Sequence, residues 1–186
     1  ETGVKIIPVV SALDAYRIKN ELGMEVWLQN VDEMYEGAKS GAVSPLQAKN
    51  LGIAGTLINH SENKKKPGTI KKMMVCWPNN FKTMLCLSSL GQAEGWAKNI
   101  KPDFIAYEPK SLIGSKDKSV ASEKPVVIQK MVEKYPKIPV FVGAGIHSAK
   151  DVEISLKLGA KGILVSSYVV LSKNPEKKLE ELASCF

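Results

Sequence analysis

The chain has 186 residues, of which 44% are hydrophobic and 6% aromatic, and it carries a net charge of +7, almost all from lysine. Its length and even composition fit one globular domain over residues 1–186, and no apolar stretch approaches the roughly 20 residues of a membrane helix. Residues 4–10 are too short to be a signal peptide and are interrupted by Lys5 and Pro8.

Cys76, Cys86 and Cys185 are odd in number and lack metal-ligand spacing. The expectation is reduced thiols in the cytoplasm, with no metal site. The densest basic run, Lys64-Lys65-Lys66, leads into Pro67-Gly68 with no aromatic residues interleaved. It reads as a solvated loop, so neither a nucleic-acid surface nor a membrane is expected as partner.

Along the chain, short β-branched apolar runs alternate with longer amphipathic stretches. Strands are expected at 4–10, 25–29, 53–58, 83–87, 103–107, 139–142 and 162–165. Helices are expected at 12–21, 45–51, 68–81, 90–99, 123–135, 149–158 and 175–183. Strand and helix in alternation with short connections build right-handed βαβ units and a parallel sheet. Ser11 with Asp14, Ser44 with Gln47, Ser89 with Gln92 and Ser148 with Asp151 have capping-box spacing just past a strand. Ser44-Pro45 and Asn174-Pro175 add proline at the first helical position.

Seven such units make either an open doubly wound sheet or most of a βα barrel. Polar or small residues gather where strands end: Gln29-Asn30, Asn59-His60-Ser61, Glu108-Pro109, Gly143-Ala144-Gly145 and Ser166-Ser167. Five polar strand ends favour the barrel, whose chemistry sits on that rim, over a single crevice.

Four of those ends carry candidate chemistry. Glu108 directly follows Phe104-Ile105-Ala106-Tyr107, and a carboxylate withdrawn from water there is a better proton acceptor. The alternative is an acid in a solvated turn. Residues 109–119 form a connection longer than usual, with Gly114 near its middle, as lids do. Gly143-Ala144-Gly145 and Ser166-Ser167 let backbone N–H groups approach a phosphate, although a glycine pair also serves tight turns. His60 precedes a helical stretch whose dipole opposes a positive ring, which suits a neutral imidazole donating a hydrogen bond. His147 reads as a turn residue beside the Ser148 cap.

Asn59-His60-Ser61-Glu62, Ala106-Tyr107-Glu108-Pro109 with Leu112-Ile113-Gly114-Ser115, Gly143-Ala144-Gly145-Ile146, and Gln29-Asn30-Val31-Asp32 with the residues 37–41 together resemble triosephosphate isomerase in its short archaeal form. The likeness runs in order from about Val4 to Phe186. It implies a TIM (β/α)8-type barrel and interconversion of dihydroxyacetone phosphate and D-glyceraldehyde 3-phosphate without a cofactor. It implies Glu108 as the base moving a proton between C1 and C2, and His60 as the electrophile polarising the substrate oxygens. It assigns Gly114, Gly145, Ser166 and Ser167 to the phosphate, residues 109–119 to the lid, and Asn30, Ser61, Glu62 and Ser40 to supporting roles. A homo-oligomer, dimer or tetramer, is implied as well, because residues 33–44 resemble an arm inserted into a partner subunit.

The sequence also departs from the family. Ser40 and Ser115 stand where threonines are usual, and Asn63 where an arginine is. The family's first strand carries an Asn-x-Lys stretch, whereas residues 1–10 have none and 4–10 match its second strand. The expectation is a barrel truncated to about seven βα units, its turnover impaired for want of the catalytic lysine. Losing one preorganised electrostatic partner typically costs about 10²–10³ in rate. The alternative is a phosphosugar-binding remnant, or an incomplete subunit that needs a partner segment.

Overall fold

A computed structural model describes residues 3–33, 38–115 and 117–186, the side chains at 97–99 excepted. Seven parallel strands alternate with helices in chain order, the α/β arrangement expected of a TIM-type barrel cut to about seven βα units. The chain divides into two compact units.

The N-terminal unit comprises Ile6–Cys86 and Gly95–Asp103. It holds β1 (Val9–Val10), α1 (Ala12–Leu22), β2 (Trp27–Leu28), α2 (Pro45–Asn50), β3 (Gly55–Ile58), α3 (Pro67–Val75) and nearly all of β4 (Lys82–Leu87). Val9 pairs with Trp27, Trp27 with Gly55, and Gly55 with Lys82, so sequence neighbours are sheet neighbours. Ala15, Val26, Leu28, Val31, Ala48, Ile53, Met73 and Phe81 form its buried core. Burial of a side chain of this kind stabilises by about 1.5–3 kcal/mol, enough to fix which helix face turns inward. Asp103 ties down the start of β4. Its Oδ1 accepts from Lys82 Nζ at 2.8 Å, and its Oδ2 accepts from Thr83 N–H at 2.9 Å. Thr83 Oγ1 accepts in turn from the Asp103 N–H at 3.1 Å. Asp103→Ala strands those donors, and urea denaturation should register a loss of about 1–3 kcal/mol.

The C-terminal unit comprises Glu1–Lys5, Leu87–Glu94 and Phe104–Phe186, so the division falls inside α4 (Leu90–Ile100). It holds β5 (Phe104–Tyr107), α5 (Val120–Glu123), α6 (Pro125–Lys134), β6 (Val140–Val142), α7 (Ala149–Lys157), β7 (Gly162–Ile163), α8 (Ser167–Val170) and α9 (Pro175–Ala183). Ile105 pairs with Val140, and Phe141 with Gly162. Lys134 on α6 is ion-paired with Glu94 on α4.

The expected helix starts are where the local chemistry puts them. The side chains of Ser11, Ser44, Ser89, Ser148 and Asn174 accept from the backbone N–H groups of Asp14, Gln47, Gln92, Asp151 and Lys177. Other boundaries move, for identifiable reasons. The stretch 68–81 ends as a helix at Val75 because residues before a proline avoid the helical region, and Trp77 precedes Pro78. The Trp77 indole then bonds the Phe81 carbonyl at 2.7 Å, closing the turn into β4. The stretch 123–135 becomes two helices because Pro125 pushes Lys124 to φ −133°, ψ 38°. Residues 4–8 fall outside β1, since Pro8 has no N–H to give a ladder, although its carbonyl still accepts from Trp27 at 2.9 Å. The short α8 and a 3₁₀ turn at Lys110–Leu112 were not expected.

The three thiols differ in access. Cys76 is exposed and Cys86 buried in β4. Cys185 is half-buried, its Sγ 3.6 Å from the carbonyls of Ala149 and Glu181. Burial first, then the Glu153 charge, pushes the Cys185 thiol up from its ordinary value. The thiolate is the reacting species, so iodoacetamide at neutral pH should label Cys76 first, Cys185 slowly, and Cys86 only after denaturation. Peptide mass spectrometry over a time course reads the order.

Candidate active site

In the C-terminal unit the site residues are built on the ends of β5, β6 and β7. Glu108 follows β5 and continues the ladder, its N–H donating to the Leu87 carbonyl at 2.8 Å. Its side chain is 7% exposed. The carboxylate lies over Gly143, where an added Cβ would sit 2.6 Å from Oε1 and 2.8 Å from Cγ. Gly143 is therefore the space the carboxylate occupies. Its N–H donates to the Tyr107 carbonyl at 3.1 Å, which fixes the two strand ends side by side. Burial also pushes the neighbouring Tyr107 phenol above its ordinary value.

After Gly143 the chain turns through two consecutive left-handed residues, Ala144 (φ 73°) and Gly145 (φ 71°). Glycine adopts that conformation freely, but alanine pays about 1–2 kcal/mol for it, so the surroundings must hold the turn. They do: the Ala144 carbonyl accepts from the Val120 N–H at 3.1 Å. A Cβ on Gly145 would overlap the Lys118 carbonyl oxygen. The turn after β6 thus supports the C-terminal root of the 109–119 loop.

Within that loop the 3₁₀ turn buries Leu112, and Ser119 is buried as the cap of α5. Gly114 lies between these anchors with φ 71° and nothing within 4 Å of its Cβ position. Lys116 lies outside the described residues. Ser166 and Ser167 follow β7 and are exposed at the start of α8. Their helix is fastened to α9: the Tyr168 hydroxyl donates to Glu181 at 2.9 Å, and Lys178 reaches both groups.

In the N-terminal unit the ends of β2 and β3 are joined by polar contacts. Asn59 is buried with φ 64°; its amide donates to the Cys86 carbonyl at 2.8 Å and accepts from the Lys65 N–H at 3.1 Å. That hold aims the next residue, His60. The His60 Nδ1 accepts from the Glu62 N–H at 3.4 Å, and the Glu62 carboxylate is 3.6 Å away. With Nδ1 accepting, a neutral ring carries its proton on Nε2. Helix α3 begins at Pro67, seven residues past His60. The turn at 60–63, with Asn63 N–H bonded to the His60 carbonyl at 2.9 Å, is therefore the ring's immediate setting. Ser61 is half-buried in that turn.

Asn30 donates to Asp32 at 3.2 Å, and Lys65 Nζ is 3.8 Å from the same carboxylate oxygen. The Asp32 Oδ2 accepts from the Val43 N–H at 2.9 Å, closing the base of the 33–44 arm. Ser40 is exposed in a turn marked by the Ala42 to Lys39 bond. Residues 34–37 of the arm lie outside the described residues.

Asn59 holds the turn into His60 and Asp32 holds the base of the arm, two structural roles that residue type alone did not assign. An asparagine preceding a candidate catalytic residue, in a chain that must turn sharply, is the signal for the first. Nothing local marks the second.

No group of three metal-ligating side chains is found among the described residues, and no helix there is long and apolar enough to cross a membrane.

The family model described as triosephosphate isomerase matches residues 1–182. The chain is 39% identical over 185 residues to the triosephosphate isomerase of Thermoplasma volcanium, covering 96% of this chain and 84% of that one. It is 34% identical to the enzyme of the same name from Methanobacterium bryantii, over 99% of this chain and 83% of the other. For Saccharolobus solfataricus the figures are 37%, 97% and 81%.

Proposed function

The chain belongs to the triosephosphate isomerase family, and from that premise we propose that it interconverts dihydroxyacetone phosphate and D-glyceraldehyde 3-phosphate. Glu108 takes the proton from C1 of the ketose and returns it to C2. His60 donates from Nε2 to the oxygens on which charge develops, and so stabilises the enediolate between the two steps. Gly114, Gly145, Ser166 and Ser167 receive the phosphate, and the 109–119 loop closes over the intermediate. Closure excludes water, which strengthens these contacts and protects the intermediate from side reactions. Asn30, Ser61, Glu62 and Ser40 support the rim. In the same reading the chain forms one domain, assembles with copies of itself as a dimer or tetramer, and works in the cytoplasm.

The observation that carries this reading is the buried Glu108 carboxylate at the end of β5, lodged in the space of Gly143 next to a turn that roots the lid. A coupled assay in both directions, with Glu108→Gln as control, tests it. Equal rates for the two proteins would remove the claim.

A further inference from the structure

Asp151, the third residue of α7, is 5% exposed, and three groups of the preceding turn gather at its Oδ2. They are the His147 N–H at 3.3 Å, His147 Nδ1 at 3.2 Å and Ser148 Oγ at 2.7 Å. The His147 Nε2 is buried and has no hydrogen-bond partner among the described residues. The ring's Nδ1 faces the Asp151 carboxylate at 3.2 Å, so the ring's polar anchorage is to Asp151. The helix does not need the ring: Ser148 already caps α7 by accepting from the Asp151 N–H. The imidazole instead ties a residue outside the helix to a buried charge.

That residue ends the turn that begins at Gly143. Ile146, between the turn and His147, is 5% exposed and packed inward. The tip of the turn supports the lid root through the Ala144 carbonyl and the space at Gly145. The segment 143–148 is thus held at one end by Asp151, and at the other it carries residues 118–120.

We propose that His147 is a positioning residue, which through Asp151 holds the phosphate-receiving turn at Gly145 and the root of the lid in register. The proposal rests on the isomerase reading and adds to it a group that touches neither substrate nor reacting atoms. Losing one polar contact from such a brace weakens what it supports by about three- to tenfold.

The test uses His147→Ala, His147→Asn and His147→Gln. An asparagine amide nitrogen falls where Nδ1 was, whereas a glutamine amide reaches the place of Nε2. Binding of inorganic phosphate is measured by calorimetry, and trypsin cleavage after the exposed Lys118 is timed without phosphate. His147→Ala should weaken phosphate about three- to tenfold and speed cleavage at Lys118 by a similar factor. His147→Asn should restore both, and His147→Gln neither. Phosphate affinity and cleavage rate both equal to wild type in His147→Ala overturn the proposal, as does His147→Asn behaving like the alanine variant. If the wild-type chain binds no phosphate, the isomerase reading fails. The cleavage rates then decide the brace alone, and equal rates for wild type and His147→Ala overturn it.

Discussion

Glu108→Gln should lower kcat by about 10²–10⁴-fold while leaving KM within a few-fold of wild type. The range is that of a positioned general base. Glutamine keeps the volume and leaves Gly143 its room, so the fold around β5 is undisturbed and circular dichroism should not change. What is lost is the ability to take a proton from carbon. Because substrate is still bound through its phosphate, the effect belongs in kcat. A rise in KM with kcat unchanged would place Glu108 among binding groups and displace it from the chemistry.

The next largest effect is expected from a single methyl group. Gly143→Ala puts a Cβ 2.6 Å from the Glu108 Oε1, 2.8 Å from its Cγ and 3.0 Å from its Cδ. No real contact of that kind exists, so the carboxylate must move. Gly143, unlike Gly145, does not have a left-handed backbone, so the added methyl acts by displacement and not by strain of the chain. A displacement of about 1 Å in a catalytic group costs about 10²-fold, and overpacking costs about 1–3 kcal/mol of stability. kcat/KM should therefore fall about a hundredfold in a protein that still folds. Combining Gly143→Ala with Glu108→Gln should add little beyond Glu108→Gln alone, because both remove the same group from its place. Full activity in Gly143→Ala would mean that the carboxylate position seen here is not the working one.

Much of this could be read from the chain because it is local. The serine and asparagine caps lie three residues from the N–H groups they satisfy, and the strand–helix alternation needs only periodicity. Glu108, placed directly after four strand residues, was legible for the same reason. The break at Lys124 was also local, since Pro125 stands in plain sight, but the long apolar periodicity of 123–135 outweighed it. What could not be read depends on distant partners. Asn59 is held by a carbonyl 27 residues away. Gly145 is kept free of a side chain by residues 118 and 119, which lie on a different loop. Asp151 looked like a capping acid, and its spacing from Ser148 gave no hint that it also gathers His147.

The most direct measurement is proton NMR of triose phosphate incubated with the protein in D₂O, run long enough to detect slow turnover. A carboxylate that ferries the proton between carbons exchanges it with solvent, so wild type should yield D-glyceraldehyde 3-phosphate deuterated at C2, and Glu108→Gln should yield it about 10²–10⁴-fold more slowly. Deuterated product at equal rates from both proteins would contradict the assignment of Glu108 as the base.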